Sequence, residues 1–204
     1  MSFLTPTQHR RLVRHIQHNC IETRPADNPF ILASGKPALF KFNLDSALAH
    51  PAIGPLIGRS LARAISALAP ETTLIGGPDS AGIVVARLVV PHLQPNNVIT
   101  YRIPKKPGER ATDLTAFLPA TPLDPAEAHI AAIVDDVTNA GTNSTASFTA
   151  LQQHRLPVLH AFSVLDYGHT AASRLAAVGV QLHALTTLAD YTLPQPLDSP
   201  APTP

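Results

Sequence analysis

Residues 129–151 read "HIAAIVDDVTNAGTNSTASFTAL". An apolar run from Ile130 to Val134 enters Asp135 and Asp136, a Thr/Asn/Gly turn follows, and an amphipathic run closes the stretch. The apolar run reads as a buried strand ending at the carboxylates, and the last part as a helix. The same alternation recurs outward from it. Residues 72–77, "TTLIGG", read as a strand that ends in glycines, and 80–93, "SAGIVVARLVVPHL", as the helix after it. Residues 96–103, "NNVITYRI", are a further strand. Downstream, "PVLHAFSVL" (157–165), "TAASRLAAVG" (170–179) and "VQLHALTTL" (180–188) read as strand, helix and strand. Strands interleaved with helices predict βαβ units and an α/β fold, a parallel sheet covered by helices on both faces.

The segment before this sheet differs. Residues 6–22, "PTQHRRLVRHIQHNCIE", carry Leu12, Val13, Ile16 and Cys20 at helical spacing behind a Thr-Pro start. Residues 28–45, "NPFILASGKPALFKFNLD", predict a hairpin around a Ser-Gly turn. Residues 54–70, "GPLIGRSLARAISALAP", predict an amphipathic helix. The expected organisation is a small N-terminal hood over residues 1–50, a core over 51–192, and a Pro-rich end over 193–204, extended or disordered.

Composition bounds the function. The chain has 204 residues, 45% hydrophobic and 14% charged, enough for one domain with a substantial core. A formal net charge of +1 is too balanced to suggest a broad nucleic-acid surface or an acid-seeking patch. Cys20 is the single cysteine, so there is no intramolecular disulfide and no Cys-rich zinc site. The start, "MSFLTPTQHRRLVRH", lacks the apolar core of a signal peptide. No apolar stretch approaches the roughly 18 residues of a membrane span. A cytoplasmic protein without a membrane partner is expected.

In open parallel sheets, ligands bind beyond the C-terminal ends of the strands. Three predicted strand ends carry chemistry: residues 76–82, "GGPDSAG"; 101–110, "YRIPKKPGER"; and 135–144, "DDVTNAGTNS". In the last, Gly141 allows a tight turn, and the unpaired N–H groups of a helix start join the hydroxyls of Thr138, Thr142 and Ser144. Such a loop cradles a phosphate. Asp135 and Asp136 would repel that phosphate, but they suit sugar hydroxyls or a bound Mg²⁺ beside it. By themselves the two aspartates equally suit a solvated helix start. The glycines of the first loop also fit an ordinary βα turn. The cations of the second, Arg102, Lys105, Lys106 and Arg110, fit either a solvated surface or a loop that closes over an anion.

Taken together, these loops describe a ligand with a phosphate, sugar hydroxyls, a metal and a second anionic group. "IAAIVDDVTNAGTNS" resembles the phosphoribosyl-diphosphate (PRPP) signature of type I phosphoribosyltransferases. The resemblance runs over roughly residues 10–190 and is nearest to orotate phosphoribosyltransferases. "FILASGKPALFKFNLD" resembles that family's N-terminal hairpin, "GGPDSAGIVVA" its diphosphate loop and "YRIPKKPGE" its catalytic arm. "VLDYGHTAASRLAAVGVQLHALTTL" resembles its closing strand–helix–strand.

The resemblance implies a type I phosphoribosyltransferase-like sheet with a hood, and transfer of phosphoribosyl to a nucleobase-like acceptor with release of diphosphate. It implies PRPP contacts from Val137, Thr138, Asn139, Ala140, Gly141, Thr142 and Asn143, with Asp135 and Asp136 at the ribose hydroxyls and the Mg²⁺. It implies further PRPP contacts from Gly77, Pro78, Asp79, Ser80 and Ala81 and from Arg102. Lys105 and Lys106 are the candidate catalytic lysines of the arm. The base would meet Ala33, Lys36, Phe42 and Thr145, and the arm of one subunit would reach the partner's site in a homodimer. Ala33, Thr145 and Ala81 stand where the family carries cations. The alternative expectation is therefore a PRPP- or nucleotide-binding regulatory protein of the same fold.

Overall fold

The structure is a computed structural model. It describes residues 3–31, 37–93, 98–103, 118–119, 122–124, 126–168 and 170–194, with the backbone alone at Asp79, Ser80, Leu118 and Pro119. Ala33 and Lys36, the arm with Lys105, Lys106 and Arg110, and the tail from residue 195 lie outside the described residues.

The hood begins with α1 (Pro6–Asn19). Thr5 and Gln8 form a reciprocal capping box at its start, and Pro6 sits where a missing N–H costs nothing. Strand β1 (Ile21–Thr23) follows, then β2 (Phe30–Ile31), β3 (Pro37–Ala38) and β4 (Phe40–Phe42). The predicted single hairpin is divided between two small antiparallel sheets. β2 pairs with β3, whereas β4 turns away to pair with β1. The short α2 (Asp45–Ala49) and the long α3 (Gly54–Leu68) lead into the core.

There the alternation holds: β5 (Leu74–Pro78), α4 (Asp79–Val89), β6 (Ile99–Ile103), β7 (Leu118–Pro119), β8 (Ala131–Thr138), α5 (Thr142–Gln153), β9 (Val158–Asp166), α6 (Ala171–Ala176) and β10 (Gln181–Thr187). The strand order is β10-β9-β8-β5-β6-β7, with five strands parallel and β7 antiparallel at the edge. Helix α4 ends earlier than the apolar run suggests. Pro91, which has no N–H to donate, falls in a 3-10 turn at Val90–His92.

Apolar residues on both sides of every central strand explain why the sheet is covered twice. On one face Ile75, Ala132, Val134, Phe162 and Val164 join Leu12 and Ile16 of α1, the buried stripe of α3, and Val85 and Val89 of α4. On the other, Leu74, Ile103, Ala131, Ile133 and Ala161 pack with Ala150 and Leu151 of α5 and Leu175 of α6. Tyr101 is wholly buried on that second side, and its hydroxyl donates to the Ala132 carbonyl at 3.0 Å, which satisfies the one polar group it carries inward. Among the described residues, no helix is long and apolar enough to cross a membrane.

Candidate active site

The chain runs from β5 outward to β6, then returns to place β8 on the other side of β5. That reversal is the topological switch point, where the loops on either side leave in opposite directions and open a crevice. The strand pairing parts there. β5 and β8 are in register only from Leu74↔Ala131 to Gly76↔Ile133. β5 then follows β6 to Pro78↔Ile103, while β8 follows β9 to Thr138↔Asp166.

Close backbone approach shapes the floor. A Cβ on Gly77 would meet the Val134 carbonyl oxygen at 2.2 Å, and one on Gly82 would meet the Gly77 Cα at 2.8 Å. Only glycines let the first turn of α4 lie directly over the ends of β5 and β8. Pro78 is buried at the end of β5, and Asp79, Ser80 and half-buried Ala81 open α4.

β8 does not stop at Val134, as its apolar run suggests. It continues through both aspartates to Thr138. Successive side chains of a strand alternate between faces, so the adjacent carboxylates diverge. Asp135 is 5% exposed and follows Ile133 on the α5 side. Asp136 is half-buried and follows Val134 towards α2 and the hood. Each also steadies its own backbone: Asp135 Oδ1 accepts the Asp136 N–H at 3.0 Å and Asp136 Oδ1 accepts the Val137 N–H at 2.7 Å. Burial pushes the Asp136 carboxyl above its ordinary range. Hydrogen bonds from the Val137 N–H and with Asp135 oppose that rise, and the Asp45 carboxylate adds to it.

After β8, half-buried Asn139 and Ala140 lead to Gly141, which caps α5 in the left-handed conformation at φ +73°. A Cβ there would be strained by that backbone, and it would press on Ala171 Cα at 3.0 Å. No side chain caps this helix start, so the N–H groups of its first turn have neither an intrahelical nor a capping partner. Thr138 and Ser144 are buried, and Asn143 is exposed. The Thr142 hydroxyl accepts from Arg174 Nη1 of α6 at 3.1 Å, which brings a guanidinium to the loop. The Thr145 hydroxyl donates to the Gly141 carbonyl at 2.8 Å and so is engaged within its own helix. Arg102 is exposed on β6, in register with Gly77.

The hood side is aromatic. Phe42 is half-buried and edge-on to Tyr167, with ring centroids 5.6 Å apart. Phe40 lies nearly parallel to Tyr167, at 21° and 6.5 Å. The Phe42 N–H donates to the Tyr167 hydroxyl at 3.4 Å. Burial raises the Tyr167 phenol, the Phe42 hydrogen bond opposes this, and the Asp136 charge adds to the rise. Tyr167, Phe40, Asp45 and Arg174 are absent from the sequence-predicted site. Tyr167 stood within reach, since "LDYG" at 165–168 is a fourth strand end on the same edge of the sheet.

Asp135 and Asp136 are hard oxygen donors of the kind Mg²⁺ takes, and the described residues hold no cluster of three or more His, Cys, Asp or Glu able to cage a metal. Because the two aspartates lie on opposite faces of β8, one of them at most could reach a given Mg²⁺, and such an ion would draw the rest of its shell from water and ligand oxygens.

No protein-family model matches the chain. It is 26% identical over 170 residues to an orotate phosphoribosyltransferase of Rhodopirellula baltica, covering 80% of this chain and 86% of that one. Its fold matches the orotate phosphoribosyltransferase of Mycobacterium tuberculosis in complex with PRPP, with a TM-score of 0.65, 17% identity, and coverage of 92% of this chain and 93% of that one. It also matches the adenine phosphoribosyltransferase of Leishmania donovani, with a TM-score of 0.63, 16% identity, and coverage of 95% and 86%. The fold is that of the type I phosphoribosyltransferases, and the sequence is similar at low identity to the orotate enzymes.

Proposed function

We propose that the chain is a PRPP-dependent phosphoribosyltransferase that transfers phosphoribosyl to a nucleobase-like acceptor and releases diphosphate. One observation carries the reading. At the switch point of the sheet, a strand that carries two consecutive carboxylates near its end runs through a glycine-capped turn into an uncapped helix start. In this reading the first-turn N–H groups of α5, with Thr138, Thr142 and Ser144, hold the 5-phosphate, and Arg174 adds charge at Thr142. Asp135 and Asp136, on opposite faces of the strand, would divide between them the ribose hydroxyls and a Mg²⁺ carried on the ligand. That ion would neutralise the departing diphosphate. The backbone from Gly77 to Ala81 and the side chain of Arg102 meet the diphosphate, and Lys105 and Lys106 close over it. The carboxylates also tolerate the positive character that develops on the sugar, an electrostatic contribution fixed before the reaction begins. Residues 1–50 act as the hood, 51–192 as the catalytic core, and the protein works in the cytoplasm as a homodimer.

Orotate is the first acceptor to test, by similarity. Phe40, Phe42 and Tyr167 suit a flat heterocycle, but the charge that acts on Tyr167 is the negative one of Asp136. An orotate carboxylate brought beside it must be desolvated against like charge, so orotate is expected to bind weakly. The test is diphosphate release from PRPP and Mg²⁺ with a panel of bases. Release with at least one base supports the enzyme. Calorimetric PRPP binding with no release from any base supports the second reading, a PRPP-binding regulatory protein. That reading draws on Ala33, Ala81 and Thr145, which stand where the family carries cations.

A further inference from the structure

On α1, Thr7, Arg10, Arg11, Arg14, His15 and His18 recur at three- and four-residue steps, on the side away from buried Leu12 and Ile16. With Asn19, His50 and Ile53 they line a groove of about 450 Å³. The lining holds three guanidinium groups, three imidazoles, an amide and a hydroxyl, and no carboxylate. In a chain with 15 Lys and Arg against 14 Asp and Glu, this is a local excess that the overall charge conceals. Arg10, Arg11 and Arg14 are exposed and make no salt bridge among the described residues, whose ion pairs are His9–Asp190 and Lys41–Glu22.

The imidazoles add a second, independent sign of an absent partner. His15 Nε2 is shut off from solvent with no hydrogen-bond partner among the described residues. The His15 and His50 rings meet edge to face at 4.6 Å. His50 Nδ1 accepts the Ala52 N–H at 3.1 Å, which leaves its Nε2 as a donor. His15 Nε2 is closed to an oxygen in the groove unless its ring turns, whereas the guanidiniums of Arg10, Arg11 and Arg14 are exposed to it.

We propose that this groove is a second ligand site, distinct from the crevice, for a small phosphorylated anion. Forked guanidiniums match phosphate oxygens bidentately, and three on one helix face supply that geometry more than once. The volume falls within the usual range for small-molecule sites, about 300–1,000 Å³. A polyanion would call for a longer basic surface than one face of α1 offers. The site stands at the far end of α2 from the crevice. Asp45, its first residue, acts on Asp136, and His50 follows its last.

The test is a titration of the ¹⁵N-labelled full chain with inorganic pyrophosphate, orthophosphate and AMP, followed through the amide and histidine-ring resonances. Saturable shifts are expected over residues 7–19 and 50–53, and roughly tenfold weaker binding there in Arg10→Ala/Arg14→Ala. Shifts at 138–145, which report on the crevice, should be unchanged in that variant, so the two sites are read separately. Preference for pyrophosphate over AMP points to a free diphosphate group, and the reverse to a nucleotide. Resonances of α1 that stay still, or that drift without saturation equally in both proteins, overturn the site. A short oligonucleotide that binds more tightly than all three anions overturns its small-ligand class.

Discussion

On the β8–α5 side, the crevice is made of backbone: glycines at van der Waals limits, a left-handed cap at Gly141, and N–H groups of a helix start. On the hood side it is made of side chains that arrive from distant parts of the chain, Phe40 and Phe42 from β4, Tyr167 after β9 and Asp45 from α2. The first construction tolerates almost no change of shape, because a displaced carbonyl has nowhere to go. The second can be altered one side chain at a time. In the proposed function, the rigid side would meet the sugar-phosphate and the alterable side the acceptor.

The largest effect of a single substitution should come from the backbone half. Gly77→Val places a Cβ 2.2 Å from the Val134 carbonyl oxygen, where neither strand can yield. A loss of about 3 kcal/mol is expected, the upper end of overpacking costs. A urea midpoint close to that of the native chain at unchanged slope would show that the two strands are not held so tightly.

Next comes the carboxylate pair. In Asp135→Asn/Asp136→Asn the fold should survive by circular dichroism, while PRPP affinity falls with the loss of charge-assisted hydrogen bonds, about 1.5–3 kcal/mol each. Unchanged affinity by calorimetry removes these residues from the ribose.

The side-chain half should respond more gently and to a different ligand. Tyr167→Ala is expected to raise the KM of the acceptor base roughly three- to tenfold, in line with about 0.5–1.5 kcal/mol for an aromatic contact. The KM for PRPP should barely move, and Tyr167→Phe should behave like the native chain. If PRPP and base suffer equally, the two halves are not separable and the comparison fails.

The smallest effect tests the cost of the site. Asp136 has a raised carboxyl, so its native state favours the protonated form. Its contribution to stability is therefore full below the ordinary carboxylate range, near pH 4, and is lost as pH rises through its native pKa. Asp136→Asn, which keeps an oxygen for the Val137 N–H, should raise Tm slightly at neutral pH. The gain should vanish at acid pH. A gain that is flat with pH would assign it to packing and not to the buried charge.

Much of this was legible in the sequence. Apolar runs such as Ile130–Val134 are long enough to be covered on both faces, and helices between them leave a parallel sheet as the consistent arrangement. The glycine-capped turn into α5 was legible too, because Gly141 and its hydroxyl neighbours are contiguous in the chain and act through local backbone geometry. The extent of β8 was not. Periodicity ends where the apolar residues end, but Asp135 and Asp136 stay in the strand because β9 continues beside them to Asp166.

The pairing of β4 escaped for a related reason. Residues 28–45 read as one hairpin, since sequence shows the turn but not the competing edge. β4 pairs instead with β1, a partner whose three residues give no periodic signal. The sequence by itself determined the sheet, its helices and the loop at α5, because each rests on residues close together in the chain. Only the tertiary structure decided that Asp135 and Asp136 face opposite sides, that Arg174 reaches Thr142, and that Tyr167 meets Phe40 and Phe42 beside Asp136. Those meetings join residues dozens of positions apart, and they are set by which strands lie side by side and how far each one runs.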